Sequence, residues 1–144
     1  MNSNTPTAPA SGPSDAAAAP LLAFVGGGNM ASAILGGLVA AGHPASRVVV
    51  VEPHAPQADI VREKFGVRVE PAGGGALAGT DIVVWAVKPQ VFREAAAPCA
   101  PFVGQALHLS VMAGIRSDAL ARATGSERVV RAMPNTPEIG RAHV

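Results

Sequence analysis

Short, almost wholly apolar runs alternate along the chain with amphipathic stretches, and glycine or proline stands at most of the junctions. The first run, Leu21 to Val25, passes through Gly26-Gly27-Gly28 into Ala31, Ile34, Leu35, Leu38 and Val39, spaced as one face of a helix. Gly42 and Pro44 stop that helix. Val48 to Val51 is a second, β-branched run that closes on Glu52. Ile60, Val61 and Phe65 predict a helix over Gln57 to Phe65 with Gly66 as its stop, and Val67 to Val69 predicts a short edge strand. Residues 72–79 are too rich in glycine for a firm helix and read as a linker with about one helical turn.

The second half repeats the pattern. Asp81 to Val87 predicts a fourth strand, and Pro89 suits the first turn of a helix running through Ala97. Ala106 to Met112 predicts a fifth strand, Ser117 to Ala123 a short helix stopped at Gly125, and Arg128 to Met133 a sixth strand. Pro134-Asn135-Thr136-Pro137 turns the chain out of it. Strands this apolar belong in a parallel sheet covered on both faces. Six of them with interposed helices predict an α/β fold, a Rossmann-type doubly wound parallel sheet in the order 3-2-1-4-5-6.

Such sheets bind ligands at the carboxyl ends of their strands, which directs attention to the residues after each apolar run. After the first run, Gly26, Gly28 and Ala31 match the G-x-G-x-x-G/A fingerprint. Two glycines there let a pyrophosphate approach the backbone, and the helix that follows offers it free N–H groups and the positive end of its dipole. Glu52, 26 residues after Gly26, stands where these folds hold the adenosine ribose. Lys88 could reach a ribose or phosphate or simply be solvated. Ala113-Gly114 is small enough to lie against a flat ring, or is a plain turn. Asn135, between two prolines, offers both donor and acceptor groups or caps the next element. His43 is expected to be exposed, and His108, inside a strand, to be a satisfied core histidine.

Composition narrows the partners. The chain has 144 residues, 49% of them hydrophobic, enough for one domain with a core. A net charge of +1 without a dense Lys/Arg cluster gives no footprint for nucleic acid or anionic membrane, which favours a small-molecule partner. The single cysteine, Cys99, cannot form an intrachain disulfide, which fits a reducing, cytoplasmic setting. Residues 1–20, rich in Ala, Pro, Ser and Thr with Asp15 as their one charge, are expected to be a disordered tail rather than a signal peptide. No stretch approaches the roughly 20 apolar residues a bilayer-spanning helix needs.

Four motifs together resemble the N-terminal domain of pyrroline-5-carboxylate reductase: Phe24-Val25-Gly26-Gly27-Gly28-Asn29-Met30-Ala31, Trp85-Ala86-Val87-Lys88-Pro89-Gln90, Ser110-Val111-Met112-Ala113-Gly114-Ile115 and Val130-Arg131-Ala132-Met133-Pro134-Asn135-Thr136-Pro137. The resemblance covers residues 21–137 as an NAD(P)-binding domain. It implies hydride transfer from a nicotinamide cofactor to 1-pyrroline-5-carboxylate, giving L-proline. It also implies that Val25, Gly26, Gly27, Gly28, Asn29 and Met30 line the pyrophosphate, that Ala86, Val87, Lys88 and Pro89 meet the ribose and nicotinamide, that Met112, Ala113 and Gly114 meet the nicotinamide face, and that Asn135 sits near the reacting ring. The family more often uses NADPH, and that is the expected cofactor. Glu52 argues for NADH unless His54 turns inward to offset its charge. No metal is implied, and the proton donor is unidentified.

Family members continue into a helical C-terminal domain that forms the homo-oligomer and holds the imino acid, and no such segment is present here. Residues 138–144, Glu-Ile-Gly-Arg-Ala-His-Val, depart from the family pattern and can be encoded in frame by the start of a common sequencing adapter. They are expected to be non-native and the fragment alone to be inactive. The alternatives are another reductase with the same N-terminal domain, of the F420-dependent NADP reductase or β-hydroxyacid dehydrogenase type, and a non-catalytic nucleotide-binding module.

Overall fold

A computed structural model describes residues 19–132. Six parallel strands form one sheet in the order β3-β2-β1-β4-β5-β6: β1 Leu22–Val25, β2 Val48–Val51, β3 Arg68–Glu70, β4 Ile82–Trp85, β5 Leu107–Ser110 and β6 Val129–Arg131. The predicted fold class and strand order both hold. Five α-helices connect the strands: α1 Asn29–Ala40, α2 Ala55–Phe65, α3 Phe92–Ala96, α4 Ala100–Val103 and α5 Ser117–Thr124. Short 3-10 turns lie at Ala45–Arg47, Gly75–Leu77 and Pro89–Val91, so residues 72–79 do contain the single turn expected of them.

Because strand side chains alternate between faces, each apolar run feeds two cores at once. Ala23, Val25, Val49, Val51, Val83 and Trp85 pack with Phe92 and Ala96 of α3, Val103 of α4 and Leu120 of α5. Leu22, Phe24, Val48, Val50 and Val84 pack on the other side with Ala31 and Leu35 of α1 and Ala58 and Val61 of α2. A one-residue slip of any central strand would exchange the two sets. Burying each valine, leucine or phenylalanine among them contributes about 1.5–3 kcal/mol.

Several boundaries differ from the sequence reading. β4 and β5 end at Trp85 and Ser110, short of the apolar runs, because the ladder stops there: the N–H of Ala86 donates to Val25 O and that of Val111 to Trp85 O, and the chain then leaves the sheet. β3 lies one residue later than predicted, pairing Val49–Val51 with Arg68–Glu70. α4 lies in a stretch for which the sequence reading predicts no element; Pro101 sits in the first turn of the helix, where a missing N–H costs nothing. His43 is half-buried rather than exposed, with Nε2 3.4 Å from Arg47 O. The tail before residue 19 and the segment 133–144 lie outside the described residues, as does Asn135.

Candidate dinucleotide site

The site is built at the carboxyl edge of the sheet, where β1 and β4 lie side by side and their connections leave toward opposite faces. Gly26 is the pivot. Its N–H donates to Val51 O at 2.9 Å, its φ is +105°, and a Cβ there would stand 2.6 Å from Ala86 O. Only glycine satisfies both the backbone angle and the contact with the chain leaving β4. Gly28 is different. It precedes α1 with an ordinary φ of −81°, and a Cβ there would meet nothing within 4 Å. The protein's own packing gives no reason for glycine at this position, whereas a ligand lying against the backbone would.

The start of α1 is equally open. No side chain caps it and no acidic residue stands in its first turn. The first helical bond runs from Ser32 N–H to Gly28 O, which leaves the amides before it without helical acceptors. Asn29 and Met30 are exposed beside them. This terminus combines free N–H groups, positive dipole and no competing carboxylate, the requirements of an anion site.

Glu52, directly after β2, has both carboxylate oxygens engaged. Gly27 N–H donates to Oε1 at 2.8 Å and His54 N–H to Oε2 at 3.0 Å. Gln57, which the sequence reading missed, donates from Nε2 to Gly27 O at 2.7 Å. The glycine loop is thus held from one side by β2 and α2 and from the other by the turn after β4. The only advance signal for Gln57 was a polar residue close behind Glu52 at the start of a helix. Exposed His54 contributes its backbone to the Glu52 carboxylate.

On the α3 side of the same edge lies an apolar cleft of about 380 Å³. Val25 and Val51 form its floor, Pro53, Pro71, Ala72 and Gly73 one wall, and Val87, Val91, Glu94, Ala95 and Pro98 the other. Its size falls within the roughly 300–1,000 Å³ usual for small-molecule sites. Of the residues singled out from the sequence, Val25 and Val87 line it; most of the remainder were not foreseen, because they come from segments that lie far apart in the chain.

The other predicted residues follow the strands as expected. Ala86 and Val87 are half-buried; Lys88 and Pro89 are exposed. Met112 is buried, its N–H donating to Ser110 Oγ at 3.1 Å, and Ala113 and Gly114 form an exposed turn one strand further along the edge. Among the described residues no group of His, Cys, Asp and Glu could hold a metal ion, and no helix is long and apolar enough to cross a membrane.

Comparison with known proteins agrees with this fold. A family model described as NADP oxidoreductase, coenzyme F420-dependent, matches residues 21–114. Over 122 residues the chain is 38% identical to pyrroline-5-carboxylate reductase of Pseudomonas aeruginosa, covering 83% of this chain and 45% of that protein. The structure of a pyrroline-5-carboxylate reductase from Coxiella burnetii superposes with a TM-score of 0.74 at 32% identity, over 85% of this chain and 46% of that one. Pyrroline carboxylate reductase of Plasmodium falciparum with NADP bound superposes at 0.65 with 26% identity, over 81% and 42% respectively. The chain therefore spans a little under half the length of the curated relatives it matches. From β1 to the turn after β5 it belongs to the NADP oxidoreductase, coenzyme F420-dependent family, and its likeness to curated proteins is to pyrroline-5-carboxylate reductases.

Proposed function

We propose that this chain is the dinucleotide-binding part of a pyrroline-5-carboxylate reductase that uses NAD(P)H. The observation that carries the reading is Gly28: an uncapped helix terminus, with a glycine the fold itself does not need, opens beside an apolar cleft. The pyrophosphate would lie on the amides at the start of α1, the adenosine ribose against Glu52, the adenine in the apolar cleft, and the nicotinamide toward Val87-Lys88-Pro89 and Met112-Ala113-Gly114. Bound there, the cofactor supplies the hydride that reduces the C=N carbon of 1-pyrroline-5-carboxylate, with a proton added at the ring nitrogen to give L-proline.

The chain's own residues position and shield. Gly26 and Gly27 set the approach of the backbone, and buried Met112 anchors the chain in the core just before the turn at Ala113. Orientation and water exclusion are what a protein adds to cofactor chemistry. Asn135 would stand near the reacting ring, and the imino-acid site and homo-oligomer contacts would belong to a C-terminal helical domain. On this reading residues 21–137 bind cofactor without turning over substrate.

Titration of the purified chain with NADH and NADPH, followed by nicotinamide fluorescence, tests this. One saturable site is expected, lost in Gly28→Val while the circular dichroism spectrum stays unchanged. No binding of either cofactor at millimolar concentration would overturn it. Rapid pyrroline-5-carboxylate-dependent oxidation by the 144-residue chain would refute the division of labour.

A further inference from the structure

The apolar cleft contains one polar side chain. Among its lining residues, Glu94 alone is not hydrophobic, glycine or proline. It stands in the first turn of α3 and forms no ion pair among the described residues. Its helical neighbours at three and four positions, Gln90, Val91, Ala97 and Pro98, carry no charge, so it does not serve the usual surface pairing of a helix. Its exposed carboxylate accepts no hydrogen bond from a protein donor among the described residues, which leaves it available to a ligand in the cleft.

We infer that Glu94 reads the base of the cofactor by accepting a hydrogen bond from the 6-amino group of adenine. This rests on the dinucleotide reading above and deepens it. The chemistry is selective because that amino group is the only N–H donor adenine presents, while a carboxylate only accepts. The walls, built from Pro53, Ala72, Val87 and Val91, suit the faces of a purine, and Glu94 supplies the one directional contact. A hypoxanthine base carries an oxygen at the same position, which would face the carboxylate as a second acceptor, and its one N–H lies on the neighbouring ring atom N1, directed away from the line of the 6-substituent. A site that hydrogen-bonds one group favours ligands that carry it, because an analogue lacking it loses the directional contact and sets a second acceptor against the carboxylate.

The test compares NADH with its hypoxanthine analogue, in the wild-type chain, in Glu94→Ala and in Glu94→Gln. Wild type is expected to bind NADH about ten-fold more tightly than the analogue, as a charge-assisted hydrogen bond implies. Glu94→Ala should bring the ratio close to one, by weakening NADH and by relieving the clash of acceptors in the analogue, and Glu94→Gln, whose amide oxygen still accepts, should retain part of it. Glu94 is exposed, so both variants should melt as wild type does. If wild type binds both dinucleotides equally, or Glu94→Ala keeps the full ratio, the inference is overturned while the dinucleotide site stands. If wild type binds neither, both fall together.

Discussion

The indole N–H of Trp85 donates to Nδ1 of His108 at 2.9 Å, and Nε2 of the same ring lies 2.9 Å from Val103 O. An indole only donates and a carbonyl only accepts, so this imidazole is neutral with its proton on Nε2. Both side chains are fully buried, Phe92 packs edge-on against Trp85 at 5.3 Å, and the pair ties β4, β5 and the end of α4 together. Burial holds the His108 pKa below the usual 6.5.

A pH dependence of stability follows, and its sign is set. Well above pH 6.5 His108 is neutral in both folded and unfolded chains and adds no slope. As pH falls below that value, the unfolded chain takes up a proton that the folded chain refuses, so stability declines. Urea midpoints should be level from pH 8 to 7 and drop toward pH 5. His108→Phe should lose about 2–4 kcal/mol by leaving Trp85 N–H and Val103 O unpaired. It should also flatten the decline; an unaltered slope in that variant would assign it elsewhere.

Gly26 and Gly28 should separate stability from binding. Gly26→Ala drives a Cβ into Ala86 O at a positive φ and should cost about 2–4 kcal/mol in chemical denaturation. Gly28→Ala meets no protein atom and should leave stability within about 0.5 kcal/mol. Its cofactor affinity should nonetheless fall at least about ten-fold, because the methyl would occupy the space into which the pyrophosphate must approach. Wild-type affinity in Gly28→Ala would move the pyrophosphate away from this turn.

Glu52 should govern the ratio between the two nicotinamide cofactors. Its carboxylate is held by the amides of Gly27 and His54 and cannot readily swing aside from a 2′-phosphate, and no Lys or Arg occurs between Pro53 and Val61 to neutralise one. Glu52→Gln should therefore raise NADPH affinity relative to NADH by about ten-fold, since like charges across a contact are strongly unfavourable. Paired titrations read this directly, and an unchanged ratio would place the phosphate beyond reach of β2.

Cys99 should be inert in the folded chain. It is fully buried, its Sγ donates to Ala95 O at 3.4 Å, and desolvation pushes its pKa up to about 11. A thiol reagent at pH 8 should label it only as fast as the chain unfolds. Gly73 packs directly on the sulfur, so Gly73→Ala should destabilise, and Cys99→Ala should recover about 1 kcal/mol of that loss through their coupling. Additive effects of the two substitutions would show that the wall of the cleft yields there without strain.

The sequence by itself determined the alternation of strands and helices, the strand order, the glycine turn and the acid after β2. Each of these is local: an apolar run such as Val48–Val51, a period of 3.6, or a glycine between two elements. The ends of β4 and β5 were decided by tertiary structure, because a strand stops where its neighbour's ladder stops and not where hydrophobicity does. So was the use of Glu52, whose carboxylate binds Gly27 only after β2 lies beside β1. The Trp85–His108 bond and the cleft that gathers Val51, Pro53, Ala72, Val91 and Glu94 join residues far apart in the chain. No periodicity encodes such meetings, since they exist only once five connections have been folded over one edge of the sheet.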